Sequence, residues 1–183
     1  MEISDLTQED TARVEQVAAL LVAGFAEHWP DAWPTLADAL TEVGESFAPD
    51  RISRVALDAQ SVAVGWIGGI AQYDGNVWEL HPLVVRAEQR RQGVGRALVA
   101  DLEARVRERG GLTLWLGTDD ESGLTSLGGA DLYPDIPGRI ATIRNLRGHP
   151  YEFYQRLGFV ITGLMPDANG RGKPDIYMAK RVG

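Results

Sequence analysis

The stretch that most limits what this chain can become runs from Trp78 to Leu98, WELHPLVVRAEQRRQGVGRAL. Its first part has the period of a strand, which puts Glu79, His81, Leu83 and Val85 on one face. Pro82 interrupts it, and because proline has no N–H to give to a ladder, a bulge or an edge is expected there. Its second part passes through Arg90-Arg91-Gln92-Gly93-Val94-Gly95 into the helical pattern of Ala97, Leu98, Leu102 and Val106, which predicts a helix from about Val94 to Arg109 ended by Gly110-Gly111. The strand LTLWLGT follows, so the whole is a β-α-β unit whose two strands run parallel through a right-handed crossover.

A glycine loop that opens a helix aims free backbone N–H groups and the positive helix end at one spot, which makes an anion cradle. Gly93 and Gly95 allow the backbone to approach a pyrophosphate, and Arg90, Arg91 and Arg96 bring charge to its oxygens. The same residues also describe a tight strand-to-helix turn with a solvated basic face. A dinucleotide-binding cradle needs a third glycine and an acid about 20 residues on, and a P-loop needs Gly-Lys-Ser/Thr; neither is present.

The rest of the chain surrounds this unit. Ile3 opens a short strand, and Thr7 or Asp10 caps a helix that reaches about His28 with Val14, Val17, Ala18, Leu21, Val22 and Phe25 inward. Pro30 and Pro34 break the chain, and Thr35 caps a second helix through Leu40 and Val43. RISRVALD, SVAVGWIGGIAQYD and NVWELHPLVV read as an antiparallel meander turned at Asp58-Ala59-Gln60 and Asp74-Gly75-Asn76. Asp119 to Gly148 has weak periodicity, and a loop of that length in a compact domain is expected to serve function, here as a wall of a substrate site. His149 to Leu157 predicts a short helix, Phe159 to Leu164 and Pro174 to Arg181 the last strands. With no repeat and no linker, residues 1–183 are expected to form a single α/β domain.

Composition removes several chemistries. The chain has no cysteine, so disulfides, zinc-thiolate sites and a cysteine nucleophile are excluded, and no metal is expected. Its start, MEISDLTQED, is acidic where a secretory signal is basic, and no apolar run reaches membrane-spanning length, which predicts a cytoplasmic protein without a membrane partner. A net charge of -8 repels nucleic acid and favours cationic ligands, although acidic surfaces also serve solubility alone.

Arg90 to Gly95 resembles the Arg/Gln-x-x-Gly-x-Gly/Ala motif of the GNAT superfamily of N-acetyltransferases, and Phe153-Tyr154-Gln155-Arg156-Leu157-Gly158-Phe159 resembles its Phe-Tyr-x-x-x-Gly-Phe signature. The resemblance implies a mixed, mostly antiparallel sheet with a splayed parallel strand pair and helices on both faces. It implies acetyl-CoA as co-substrate, its pyrophosphate held by Arg90, Arg91, Gln92, Gly93, Val94, Gly95 and Arg96, and its pantetheine arm paired with Val84 and Val85. The N–H of Leu83 then faces the thioester oxygen, where it stabilises an oxyanion. Glu79 and His81 can each act as a base for the amine, and the resemblance implies that Glu79 is the base or the carboxylate that positions the amine, with His81 beside it. Tyr154 is the acid that protonates the leaving thiolate.

WELHPLVV, GGLTLWLGTDDE, IRNLRGHPYEFYQRLGF and PDANGRGKPDIYMAK further resemble aminoglycoside 6'-N-acetyltransferases of the enterococcal type. That resemblance implies a polycationic amine as acceptor, with Trp29 and Tyr73 lining its pocket beside Glu79, and a homodimer. An acceptor with several ammonium groups calls for carboxylates; Asp119, Asp120, Glu121, Asp131 and Asp135 cluster in the long segment, and Asp119, Asp120 and Asp135 are the candidate contacts. The first 50 residues depart most from the resemblance. Two other readings therefore stand at this stage: a polyamine, small metabolite or protein amine as acceptor, or an acyl-CoA-binding module without turnover.

Overall fold

Asp10, not Thr7, caps the first helix, α1 (Thr11–Phe25): its carboxylate accepts the N–H of Arg13. Val17, Ala18, Leu20 and Leu21 form the buried stripe of α1. The helix closes before the expected His28, because the N–H groups of His28 and Trp29 both turn back to the carbonyl of Phe25 ahead of Pro30. The next helix, α2 (Leu36–Glu45), starts on a reciprocal cap in which Thr35 Oγ1 accepts the Asp38 N–H and the Asp38 carboxylate accepts the Thr35 N–H, both at 3.2 Å.

A computed structural model describes all 183 residues, which contact density divides into two compact units, residues 1–114 with 182–183, and residues 115–181. In the first, β1 (Glu2–Asp5), β2 (Arg51–Leu57), β3 (Ala63–Gln72) and β4 (Val77–Val85) form the expected antiparallel meander. Helices cover both faces. Val55, Leu57, Ala63, Trp66 and Val84 pack under α1 and α2. The opposite face carries α3 (Val94–Glu108), whose Leu98 and Leu102 lie where a Cβ on Gly65 or Gly69 would stand only 2.9 or 2.8 Å away. Glycine at these positions of β3 is thus the condition for the helix to lie that close. Arg54 ties three elements together on the α3 side, with Nε 2.6 Å from Asp101 Oδ2 and Nη1 2.5 Å from Asp5 Oδ1. Its guanidinium keeps its proton: burial alone works against the charge, but the two carboxylates outweigh it and push the pKa up.

The bulge expected at Pro82 is present, and it corrects the expected side-chain faces. Ile67 pairs with Leu83 but Gly69 pairs with Leu80, so Gly68 alone stands opposite His81 and Pro82. One extra residue in β4 reverses the alternation beyond it. Glu79 and His81 therefore share the α1–α2 face with Val84, the partner of Trp66, whereas Leu83 and Val85 pair with Ile67 and Gly65 on the α3 face. Glu79, His81, Leu83 and Val85 do not lie together on one face.

β5 (Thr113–Asp119) begins in the first unit, where the N–H groups of Leu112 and Thr113 donate to the carbonyl of Asn76 at 2.8 and 3.2 Å. It thus sets off from the same end as β4, as the β-α-β reading requires for the parallel pair. In the second unit the strand order is β5, β7 (Asp175–Arg181), β6 (Val160–Met165), with β6 and β7 antiparallel around buried Ile176, Met178 and Phe159. The segment after β5 is folded, with a bridge between Thr125 and Asn145 and the short helix α4 (Ile136–Ala141). α5 (Tyr151–Arg156) follows, shorter than expected because its carbonyls are closed off by a turn at Leu157 and Gly158.

Candidate active site

On the α1–α2 face of β4, Glu79 is half-buried and accepts a 2.7 Å hydrogen bond from the Gln72 side-chain amide, which fixes Oε2 and leaves Oε1 to another partner. Gln72 was not singled out in the sequence, yet the hairpin turn foretells it: Gln72 pairs with Val77, so its side chain shares a face with Glu79 two residues on. His81 Nε2 lies 3.8 Å from Glu42 Oε1 of α2, and its ring lies 5.9 Å from that of Trp33. Trp33 meets Phe25 edge-on at 4.7 Å, and Phe25 meets Trp29 at 5.8 Å. Trp29 thus belongs to an aromatic group that reaches His81 through Trp33 and not directly. Tyr73 sits on the turn between β3 and β4, 75% exposed and with positive φ.

The loop before α3 has the geometry of an anion cradle. Gly93 caps the helix at φ 91° without a side-chain cap, Arg91 is also left-handed at φ 63°, and no acid occupies the first turn. The first helical bond here runs from the Ala97 N–H to the Gly93 carbonyl at 3.0 Å. The N–H groups of Val94, Gly95 and Arg96 therefore precede the helical ladder. Their arrangement suits an oxyanion such as a pyrophosphate. Arg91 and Arg96 are exposed around it. Arg90 has a different task, since it bends back onto the carbonyls of Val85 and Gly24 at 3.3 and 3.4 Å and ties the loop to the strand and to α1. Gln92 likewise returns to the Glu88 carbonyl at 2.7 Å. The Val84 side chain is buried in the core, which leaves only its backbone for a ligand.

In the second unit Tyr154 is buried between Phe153 and Phe159, at ring distances of 5.0 and 5.7 Å. Burial pushes its phenol pKa far up, so the hydroxyl keeps its proton across the working range of an enzyme. Asp120 leaves the set of substrate carboxylates: it is fully buried, and its oxygens accept from Leu124 N–H at 2.5 Å, Thr125 N–H at 2.9 Å and Thr125 Oγ1 at 2.7 Å. Those bonds organise the loop that begins there. Asp119 remains partly exposed with its carboxylate on Asn169, while its carbonyl meets His149 Nε2 at 3.1 Å. The Tyr151 N–H donates to His149 Nδ1, so the imidazole proton sits on Nε2 and points to that carbonyl. Asp135 is exposed and caps α4 through the Gly138 N–H at 3.0 Å.

An anion cradle at a helix start, beside a bulged strand with a half-buried carboxylate, is an arrangement for transfer of a group carried on a phosphorylated donor. The chain belongs to the acetyltransferase (GNAT) family, whose model matches residues 14–127. Over 100% of this chain and 98% of theirs it is 43% identical to two solved structures. One is an aminoglycoside 6'-N-acetyltransferase complexed with coenzyme A, with a TM-score of 0.91, and the other is the aminoglycoside 6'-N-acetyltransferase from Enterococcus faecium, with a TM-score of 0.90. An aminoglycoside 6'-acetyltransferase type Ii is 37% identical over the same shares, with a TM-score of 0.74. A search of curated proteins gave no match. The family uses acetyl-CoA, and the α3 cradle fits its pyrophosphate. No helix is long and apolar enough to cross a membrane.

Proposed function

We propose that this acetyltransferase moves the acetyl group of acetyl-CoA directly onto the 6'-amine of an aminoglycoside. The full-length identity of 43% with two aminoglycoside 6'-N-acetyltransferases carries the reading. Acetyl-CoA supplies an acetyl thioester. The N–H groups at the start of α3, with Arg91 and Arg96 around them, hold its phosphates, and Leu83 N–H donates to the thioester oxygen. Glu79, steadied by Gln72, attracts the ammonium form of the acceptor and takes its proton. The free amine then bonds to the thioester carbon as the carbon–sulfur bond breaks; Tyr154 gives its proton to the departing thiolate and is restored by the second proton that the nitrogen sheds as the amide forms. Asp119 and Asp135 are offered to further ammonium groups of the acceptor.

The reading extends to a cytoplasmic homodimer, which size-exclusion chromatography with light scattering tests. For the activity itself, the protein is mixed with acetyl-CoA, kanamycin and a thiol reagent. Release of free CoA at a rate set by kanamycin is the expected result. Release no faster than hydrolysis of acetyl-CoA across several aminoglycosides overturns it.

A further inference from the structure

Glu42 projects from α2 toward His81 and is 18% exposed, yet no lysine or arginine pairs with it; its neighbour is His81 Nε2 at 3.8 Å. Histidine is a switchable cation, not a fixed one. A partly buried carboxylate without a fixed counter-charge can form a charge-assisted hydrogen bond with an ammonium group that reaches it. The surroundings are suited to an organic cation. The indole of Trp33 lies against His81 with ring centres 5.9 Å apart, and aromatic faces attract ammonium groups. Two carboxylates also stand around one histidine on the same face of the sheet: Glu79, two residues earlier in β4 and so about 7 Å along the strand from His81, and Glu42 at 3.8 Å from it.

We infer that Glu42 and Trp33 form a second ammonium subsite, which binds an amino group of the acceptor other than the one acetylated and so selects polycationic acceptors over monoamines. The inference rests on the acceptor being a polycationic amine, as proposed above. Sequence offered no sign of it, since Glu42 falls on a helix position that reads as an ordinary polar surface residue. α2 sets it in place through the Thr35–Asp38 cap at one end and buried Ala39 and Val43 beneath.

The test compares wild type with Glu42→Gln and Trp33→Leu by calorimetric binding of kanamycin and of spermidine, without acetyl-CoA, and by steady-state kinetics. Melting temperatures are recorded for each, and Glu42→Asp serves as the conservative variant. Glu42→Gln at unchanged melting temperature is expected to weaken binding of the polycation about tenfold and raise its KM to match, with the KM for acetyl-CoA held and Glu42→Asp recovering part of the loss. Equal affinity in wild type and Glu42→Gln overturns the subsite, as does a fall in kcat at constant acceptor KM. If wild type binds spermidine and not kanamycin, the aminoglycoside reading fails while the subsite is judged on spermidine alone. If it binds neither, both fail.

Discussion

At the scale of single residues, the proposed chemistry depends on how two acids, Glu79 and Tyr154, are held. Glu79 keeps one oxygen on the Gln72 amide and has the other free, so it is oriented without being neutralised. Glu79→Gln removes the charge and keeps the shape. Turnover is expected to fall by about 100-fold or more, the range of a lost general base, with acetyl-CoA affinity nearly unchanged by calorimetry. A loss of acetyl-CoA binding instead would mean that the residue serves the donor. Tyr154 is the opposite case, a neutral acid held neutral by burial. Because its pKa is raised on folding, its contribution to stability is complete below the ordinary phenol value of about 10 and is lost as pH climbs above it toward the raised value. Alkaline urea titrations should therefore show wild type losing stability above that pH and Tyr154→Phe losing less. Tyr151 and Tyr177, also raised first by burial, account for what remains. The strand period made Glu79 and His81 legible in the sequence; Glu42 was not, because nothing local says which strand residue a helix position will meet.

Elements were legible where their signals are local. The Thr35 cap, the hairpin turn at Asp74 to Asn76 and the α3 start at Val94 each stand where turn and cap chemistry put them. The segment after Asp119 was not legible, because it is built from contacts far apart in sequence, such as the His149 ring on the Asp119 carbonyl and the Thr125–Asn145 bridge. The bulge in β4 lies between these cases. Pro82 announced it, but its effect on side-chain faces follows only from the register with β3. That register needs Gly68, where a Cβ would stand 2.2 Å from the His81 carbonyl oxygen. Backbone cannot yield as a flexible side chain can, so Gly68→Ala should cost about 1–3 kcal/mol in urea unfolding. It should lower turnover more than acetyl-CoA affinity, since it displaces the strand between Glu79 and Leu83. The α3 start gives the converse. A Cβ at Gly93 meets nothing within 4 Å, so Gly93→Leu should cost mainly the strain of a positive φ, about 1–2 kcal/mol, while crowding the cradle. The KM for acetyl-CoA is expected to rise with little change in that for the acceptor, and the reverse would place the donor phosphates elsewhere.

Over the whole molecule, the two substrates meet one field with opposite consequences. Under the proposed function, the net charge of -8 draws a polycationic acceptor and repels an anionic donor, whose phosphates are assigned to the local positive end of α3 and its arginines. Salt shortens the reach of such fields from about 10 Å at 0.1 M to about 3 Å at 1 M. The attraction felt by the acceptor is summed over many separated carboxylates and is screened first, whereas close N–H and arginine contacts to phosphate are screened less. Between about 0.05 and 0.5 M sodium chloride, a range over which the screening length shrinks severalfold, kcat/KM for an aminoglycoside should fall steeply. The value for acetyl-CoA should fall much less, because screening the protein's own repulsion offsets part of its loss. A monoamine acceptor run in parallel should show a shallower slope than the polycation. Equal slopes for the two acceptors would mean that the acidic surface takes no part in choosing the substrate and serves solubility alone.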